Sequence, residues 1–167
     1  MSSLTREELS THSQWVHSNG ATGTRLDRAG VDCSGADLTG ANLARVSLPG
    51  AQFSKAKLIG TTFTDADLPR FQACGADGSG ANFSGARLDH ADFREADLDG
   101  AQFQRASLAG SSFAGADLSG AQFDGADLSG ADFTNADLSG ADLTGARQEG
   151  AVFAGADLTD TRGLVTR

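Results

Sequence analysis

The sequence predicts an all-β solenoid built from four-sided coils, with a short capping α-helix at its N-terminal end. Three observations predict this fold class. Apolar residues return every fifth position, and the large ones alternate between Leu and Phe, so that each type recurs every tenth position. A helix-capping sequence precedes the repeats. A period of five fits neither a strand, which alternates every second residue, nor a helix, which repeats every 3.6 residues. Each five-residue unit must therefore contain a side and a corner.

The N-terminal helix is predicted from its start and stop signals. Thr5 and Glu8 have the spacing of a capping box, in which both side chains accept hydrogen bonds from backbone N–H groups at the start of a helix. Asn19 and Gly20 form a stop signal, so we expect the helix to end near Ser18. Residues 1–25 are the predicted cap, and the open end of the first coil is expected to be covered by Leu9, Trp15 and Val16.

The repeats run from Val31 to Asp160 as 26 consecutive five-residue units without an insertion. Side chains of an extended segment alternate between two faces, so the first and third residues of a unit point inward and the second points outward. Ala occupies 21 of the 26 first positions. The last two positions, often Ser-Gly or Thr-Gly, have the chemistry of turns. Residues 26–160 are therefore the predicted β-helix.

Longer periods in the sequence predict the length of one coil. Positions 40, 60, 80, 100, 120 and 140 are all Gly, and a coil of 20 residues also stacks Leu on Leu and Phe on Phe. A coil of 15 residues would mix these columns. Four sides per coil give about 6.5 coils and, at ~4.8 Å per coil, a rod of about 31 Å. The predicted core stack includes Leu38, Leu58, Phe83, Phe93, Phe103, Phe113, Leu118, Phe123, Leu128, Phe133 and Leu138.

The repeats follow the pattern A(D/N)LxG, as in the segment from Gly125 to Leu143, GADLSGADFTNADLSGADL. These units resemble those of the pentapeptide-repeat proteins, and the resemblance covers nearly the whole chain. The resemblance implies a right-handed quadrilateral β-helix. Its best-characterised members, the quinolone-resistance proteins that act on DNA gyrase, are understood to present a rigid acidic rod to a basic groove as duplex DNA does. Several of them carry projecting loops and a C-terminal dimerisation helix, and we expect neither feature in residues 26–167 of this sequence.

Acidic charge is concentrated toward the C-terminal half of the chain. The net charge is −9, which disfavours direct binding of nucleic acid because phosphates bind basic surfaces. Nine acidic residues and one basic residue lie between Ser107 and Asp160. One interpretation is that Asp suits the local turns and solubility. The other is an acidic partner-binding surface formed by Asp97, Asp117, Asp127, Asp132, Asp137, Asp142 and Asp157.

Two functions are compatible with this surface. The first is a non-catalytic DNA mimic that binds a protein with a basic DNA-binding groove. The resemblance implies a type II topoisomerase, DNA gyrase, as that partner and protection from topoisomerase inhibitors as the outcome. The alternative is a rigid protein–protein interaction scaffold whose partner is unrelated to DNA transactions. The two functions can be distinguished by experiment: the first predicts basic, DNA-binding partners whose binding is lost when the salt concentration is raised.

The sequence predicts no catalytic, cofactor or metal site. A filled coil offers no cleft for converging catalytic groups, and His12, His17 and His90 lack the context of a triad or a metal site. Cys33 and Cys74 lie two coils apart on this geometry, too far to form a disulfide. Because the sequence contains neither a secretory signal nor an apolar run of ~18 residues, we expect no membrane association and a cytoplasmic location.

The C-terminal end of the solenoid is expected to be uncovered, since the predicted tail, residues 161–167, is too short for a helical cap. An open solenoid end exposes strand edges and apolar side chains, which proteins usually cover. This favours a homodimer formed through the C-terminal end. The alternative is a small plug made by the tail itself. The residues of the candidate dimer end are Phe153, Leu158, Leu164 and Val165.

One irregularity interrupts the pattern between Leu68 and Gly78. Two successive central positions are Ala73 and Gly78, whereas Phe71 occupies an inward position that is usually Ala. We expect Phe71 to replace the missing volume, because protein interiors are close-packed. Whether this segment bends the rod or forms a recognition site is left open by the sequence.

Overall fold

The computed structural model describes residues 3–165, in which one helix precedes a continuous coil. Helix α1 spans Arg6–His17. The coil begins at Asp27, the first residue that pairs with another turn, and its last pairing residue is Arg162. The first two residues of the predicted cap and the last two of the predicted tail lie outside the described residues.

Helix α1 begins and ends at the predicted signals. The Thr5 hydroxyl accepts a hydrogen bond from the Glu8 backbone N–H at 3.1 Å, and the Glu8 carboxylate accepts one from the Thr5 N–H at 2.7 Å. This confirms the capping box. Ser18 is the C-cap, and Asn19 and Gly20 follow with φ of 53° and 91°, so the helix ends where the chain turns left-handed.

Residues 27–162 form a solenoid with a period of 20 residues. Parallel bridges join each outward residue to the one 20 positions later, from Asp27 with Ser47 to Asp142 with Arg162, and bridging residues recur every five positions. One turn of the coil therefore has four paired sides. Each side is paired through a single outward residue instead of a longer strand, because a turn follows after every short extended segment.

Backbone hydrogen bonds hold each unit to the coils on both sides of it. The Asp137 N–H donates to the Ala116 carbonyl at 2.9 Å, and the Leu138 N–H donates in the opposite axial direction to the Asp157 carbonyl at 2.8 Å. The Ala141 N–H closes the corner by donating to the Leu138 carbonyl at 2.9 Å. The same three hydrogen bonds recur in successive units, so most backbone N–H and C=O groups in the middle of the coil have a partner.

We name the four sides A, B, C and D by their first bridging residues, which are Asp27, Asp32, Asp37 and Asn42. The central inward positions of sides A and C are mostly Leu, whereas those of sides B and D are mostly Phe. Each side therefore combines two inward columns in the core, one mostly of Ala and one of Leu or Phe, with one outward column facing solvent.

Stacked Phe rings fill the middle of the coil. On side B the rings of Phe113 and Phe133 lie 5.0 Å apart and within 1° of parallel. Rings from sides B and D meet edge to face, as Phe103 and Phe113 do at 5.7 Å and 84°, which are favourable aromatic geometries. The eleven residues of the predicted core stack are all buried, namely Leu38, Leu58, Phe83, Phe93, Phe103, Phe113, Leu118, Phe123, Leu128, Phe133 and Leu138.

The irregular segment is filled from within the core. Ala73 interrupts the Phe column of side B, and the fully buried ring of Phe71 takes the vacant place, 4.8 Å from Phe53 and 5.7 Å from Phe93. The predicted compensation of volume is confirmed. Because its ring is fully buried, Phe71 forms no bulge on the surface.

Gly78 lies beside a second filled gap. A Cβ atom at Gly78 would come within 2.9 Å of Leu98 Cδ2, so the side chain of Leu98 occupies the space that a larger residue would need. Both small central positions are thus compensated by a neighbouring apolar side chain.

The N-terminal end of the coil is covered by α1, but with a different residue at the centre of the contact than expected. Leu9, Trp15 and Val16 are all half-buried, and Leu9 packs against the core as predicted. His12 is the buried residue of α1. The Trp15 ring stacks on His12, and the guanidinium of Arg45 lies over it, 4.9 Å from the ring centroid.

The C-terminal end is partly covered by the tail. Gln148 follows five Leu residues, Leu48 to Leu128, at the central inward position of side A, and it donates through Nε2 to the Gly163 carbonyl at 2.8 Å. Its Oε1 accepts from the Val165 N–H at 3.2 Å. Leu164 packs against the core, but Val165 is 63% exposed, so only half of the proposed plug forms.

Candidate protein-binding surface

Side C carries a continuous column of carboxylates. Parallel bridges place Asp77, Asp97, Asp117, Asp137 and Asp157 in register on successive coils. At ~4.8 Å per coil the column is about 19 Å long. Among residues 3–165 no ion pair reaches any of these five side chains. No ion pair therefore neutralises this run of five carboxylates, and the one basic outward residue of side C, Lys57, is bridged to Asp77 at the start of the run.

On sides A and D, several acidic residues are paired with an Arg one coil away. Arg147 contacts Asp127 on side A at 3.3 Å, and Arg162 contacts Asp142 on side D at 3.0 Å. Asp132, on side B, is bridged to the exposed Val152.

The seven predicted surface acids thus divide among all four sides of the coil. Four of them share side C, namely Asp97, Asp117, Asp137 and Asp157. The other three lie on three different sides and cannot contact a flat partner together with the whole of side C.

The outward Asp residues also stabilise the corners. One carboxylate oxygen of Asp117, Asp137 and Asp157 accepts a hydrogen bond from the backbone N–H two residues later, at 2.8–3.0 Å. Asn42 and Asn82 make the same contact with their amide oxygens, at 3.1 and 2.9 Å. These are Asx turns, which require an oxygen but no negative charge. The corner hydrogen bond uses only one of the two carboxylate oxygens of each Asp.

Hydrogen bonds at these corners lower the pKa of several outward carboxyl groups. The Thr159 side chain and then its backbone N–H lower the pKa of Asp157, and Thr134 does the same for Asp132. The pKa of Asp127 is lowered first by the Ser129 side chain. These carboxyl groups are ionised at neutral pH, so the charge is constant under physiological conditions.

A shallow hollow lies at the predicted dimer end. Its volume is about 420 Å3, and it is lined by Gln148, Glu149, Ala151, Phe153 and Val165. The ring of Phe153 stacks on Phe133 at 5.1 Å, and within the described residues no further coil covers its other face. Phe153, Leu158 and Leu164 are half-buried and Val165 is exposed, so the four predicted residues do lie at this end.

Other groups that could carry chemistry are isolated from one another. Cys33 and Cys74 are both free thiols, as the sequence predicted. Among residues 3–165 no three His, Cys, Asp or Glu side chains are grouped so that they could hold a metal ion. In the same part of the chain, no helix is long and apolar enough to cross a bilayer.

Sequence reasoning missed the contacts that attach α1 to the coil. Arg45 donates to the Val16 carbonyl at 3.2 Å and to Asn19 Oδ1 at 3.0 Å from a corner position with φ of 59°. The sequence did contain one sign of these contacts, because Arg45 occupies a corner position that is usually Gly. His12 had no such signal, because its burial depends on how α1 docks.

Comparisons with known proteins agree with this repeat architecture. The family model of pentapeptide repeats matches in eight copies, over residues 29–65, 56–94, 96–135 and 131–162. No curated protein matches the sequence at a significant level.

Solved structures that resemble the chain are also repeat proteins. HetL from the cyanobacterium Nostoc, a pentapeptide repeat protein involved in heterocyst differentiation regulation, is 21% identical, with 92% of this chain and 97% of that chain covered and a TM-score of 0.31. Full-length QnrB1, a plasmid-mediated fluoroquinolone resistance protein, is 22% identical, with coverage of 83% and 91% and a TM-score of 0.35. A pentapeptide repeat protein from the Arabidopsis thaliana thylakoid lumen is 34% identical, with coverage of 66% and 67% and a TM-score of 0.26.

Proposed function

The chain belongs to the pentapeptide-repeat family, and from this membership we propose that it is a non-catalytic protein that binds another protein through side C of its coil. The observation that carries the proposal is the column of five carboxylates from Asp77 to Asp157. Ion pairs neutralise Asp67, Asp127 and Asp142 on sides A and D. Side C is thus the side with a long run of one sign of charge.

The partner that fits this surface is a protein with a basic DNA-binding groove. Side C presents one charge per ~4.8 Å, compared with one per ~3.4 Å along a single strand of DNA, so the two charge densities are of the same order. A rigid rod holds these charges in place without further ordering on binding. We propose DNA gyrase or another type II topoisomerase as the partner, with protection from topoisomerase inhibitors as the outcome.

Further parts of the proposal concern the rod as a whole. We take it to be a right-handed quadrilateral β-helix of about 6.5 coils, acting in the cytoplasm without binding nucleic acid directly. The net charge of −9 supports the last point, because it opposes association with phosphates.

A supercoiling assay with purified DNA gyrase, with and without a fluoroquinolone, tests the proposal. The informative variant carries Asp97→Asn, Asp117→Asn, Asp137→Asn and Asp157→Asn. The coil should survive these changes, since Asn42 and Asn82 make the same corner hydrogen bonds. The matched control changes the acids of the other sides, Asp127→Asn, Asp132→Asn and Asp142→Asn.

We expect the native chain to inhibit supercoiling or to protect gyrase from the drug at micromolar concentration. The side C variant should lose this effect and the control should keep most of it. Absence of both effects in the native chain would reject the gyrase proposal, and equal loss in the two variants would reject side C as the binding surface.

The second candidate function is a rigid scaffold for a partner unrelated to DNA transactions. The observation in its favour is that each side C Asp has a structural role in its corner, which explains the residue type without a partner. Measured binding to a purified partner separates the two functions. DNA mimicry requires affinity that falls steeply between 50 and about 300 mM salt, whereas an apolar scaffold contact changes little.

We also propose that two copies associate through the C-terminal end. The hollow beside Phe153 and the exposed Val165 leave apolar surface uncovered by the tail. In the preceding coil, the Phe133 and Leu138 N–H groups donate to carbonyls of the following coil. The Phe153 and Leu158 N–H groups occupy the equivalent positions in the last coil, so they point toward the open end. Sedimentation at high micromolar protein is expected to show a dimer that Phe153→Glu dissociates, and a monomer of the native chain would contradict the idea.

A further inference from the structure

His12 is the buried polar contact between α1 and the first coil. Its Nε2 lies 3.0 Å from the Ala44 carbonyl oxygen, and its Nδ1 lies 3.1 Å from the Leu26 backbone nitrogen. A backbone N–H can only donate, so Nδ1 must accept, and the ring then donates from Nε2 to the carbonyl. These two contacts select the neutral imidazole with its proton on Nε2.

A proton added to Nδ1 would break one of these contacts. The new N–H would face the Leu26 N–H, so two donors would oppose each other in a buried site. Among residues 3–165, no acidic side chain acts on His12 to compensate the added charge. The groups that face His12 are Arg25 from the lead-in, Arg45 from the first coil and the ring of Trp15, stacked at 5.9 Å and 21°.

The nearest acidic residue of α1 is already engaged elsewhere. Glu8 contacts Arg28 at 2.8 Å and accepts from the Thr5 N–H, so it holds a different part of the cap. Burial chiefly, and then Arg25 and Arg45, lower the pKa of His12 despite the hydrogen bond to Ala44. Glu8 differs, because its pKa lies below its ordinary value of 4.5 and it remains ionised at mildly acidic pH.

Helix α1 covers groups that the end of the coil would otherwise expose. Leu4 and Leu9 pack against the core cluster that contains Leu26, Val31 and Cys33. Within the described residues no coil precedes the first one, so detachment of α1 would uncover both a strand edge and these apolar side chains.

We propose that His12 is a pH-sensitive latch: protonation of its ring releases α1 from the first coil and exposes the N-terminal edge of the solenoid together with Cys33. A released His titrates near its ordinary pKa of about 6.5. Because the docked ring titrates lower, the released state binds the proton more readily. The attachment is complete above pH ~6.5, and the open fraction rises by up to about tenfold per pH unit below it.

Thiol labelling of the intact chain tests the latch. In the Cys74→Ser variant, Cys33 is the one remaining thiol, and 4,4′-dithiodipyridine reads thiols at acidic pH. We expect the labelling rate of Cys33, relative to the urea-unfolded chain, to rise about tenfold between pH 7.5 and 5.5. The matched Cys33→Ser variant leaves Cys74, away from the cap, whose relative rate should stay constant.

The His12→Gln variant should abolish the pH dependence of Cys33 labelling in this range. Gln can still donate to the Ala44 carbonyl, but it cannot titrate. A labelling rate of Cys33 that does not change with pH agrees with the latch whether the rate is high or low, because in both cases the titrating group has been removed. A His12→Gln variant that keeps the native pH profile contradicts it.

A titration of the native chain provides a test that does not depend on a variant folding. NMR resolves the three His rings, with the exposed His17 and His90 as comparison, and the one Trp, Trp15, reports on the cap by fluorescence. The His12 midpoint should lie below 6.5 and coincide with the change in Trp15 emission. A midpoint at or above 6.5, or Cys33 labelling that is constant from pH 7.5 to 5.5, would overturn the proposal.

Discussion

The ring of Phe71 lies 4.8 Å from the ring of Phe53, although Phe71 occupies a first position that is Ala in most units. It restores the Phe column of side B at the level where Ala73 interrupts it. The interior is thus constrained by the volume available at each level of the coil, and two different positions of one unit can supply that volume.

Loss of Phe71 should leave a cavity between Phe53 and Phe93. We expect Phe71→Ala to reduce the free energy of unfolding by about 3–5 kcal/mol, measured by urea denaturation. Adding Ala73→Phe should recover most of the loss by returning the ring to its usual position. A double variant no more stable than Phe71→Ala would contradict this account of the irregular segment.

Gly23 is required where the lead-in passes close to α1. A Cβ atom there would overlap the Thr11 carbonyl oxygen and the Trp15 backbone nitrogen, which cannot move aside as a side chain can. Gly40 is the matched control, because it also has positive φ but has open space around it. We expect Gly40→Ala to cost about 1 kcal/mol and Gly23→Ala clearly more, with altered Trp15 fluorescence. Equal effects of the two substitutions would refute the close approach.

Repulsion along side C should make stability depend on salt. The combined Asp97→Asn, Asp117→Asn, Asp137→Asn and Asp157→Asn variant should melt about 2–4 °C higher than the native chain at low salt. The gain should shrink at 1 M salt, where screening is strong. Asp127→Asn is the control without a gain, because it removes the partner of Arg147. A gain that persists at high salt would point to a cause other than repulsion.

The capping box of α1 should contribute to stability in a lower pH range than His12. Thr5→Ala is expected to weaken α1 by about 1 kcal/mol at neutral pH, measured by hydrogen exchange of its amides. The pKa of Glu8 is lowered, first by the Thr5 backbone N–H, so its contribution is present above pH ~4.5 and is lost as the pH falls below that value.

Glu8→Gln separates these effects, since Gln can still accept from the Thr5 N–H but has no charge for Arg28. We expect it to remove the pH dependence of α1 protection below 4.5 while leaving that between 5 and 6.5. Loss of both pH dependences in this variant would mean that Glu8 and His12 act as one unit.

The sequence by itself determined the features that repeat within a few residues. The alternation around each central Leu or Phe, the capping box at Thr5 and Glu8, and the four sides per coil were all predictable, because each depends on local geometry and on a regular period. The core stack followed from the same periodicity, and even the role of Phe71 could be inferred from the need to fill the interior.

The tertiary structure alone decided contacts between groups far apart in the chain. It showed that Gly85 and Gly155 lie beneath the side chains of Asp65 and Asn135 from the preceding coil, in addition to forming turns. It also determined which carboxylates find an Arg and which do not. The burial of His12 depended on the docking of α1. The physical reason is that backbone periodicity is written into each unit, whereas pairing and burial depend on which side chains the coil and the docked helix bring together.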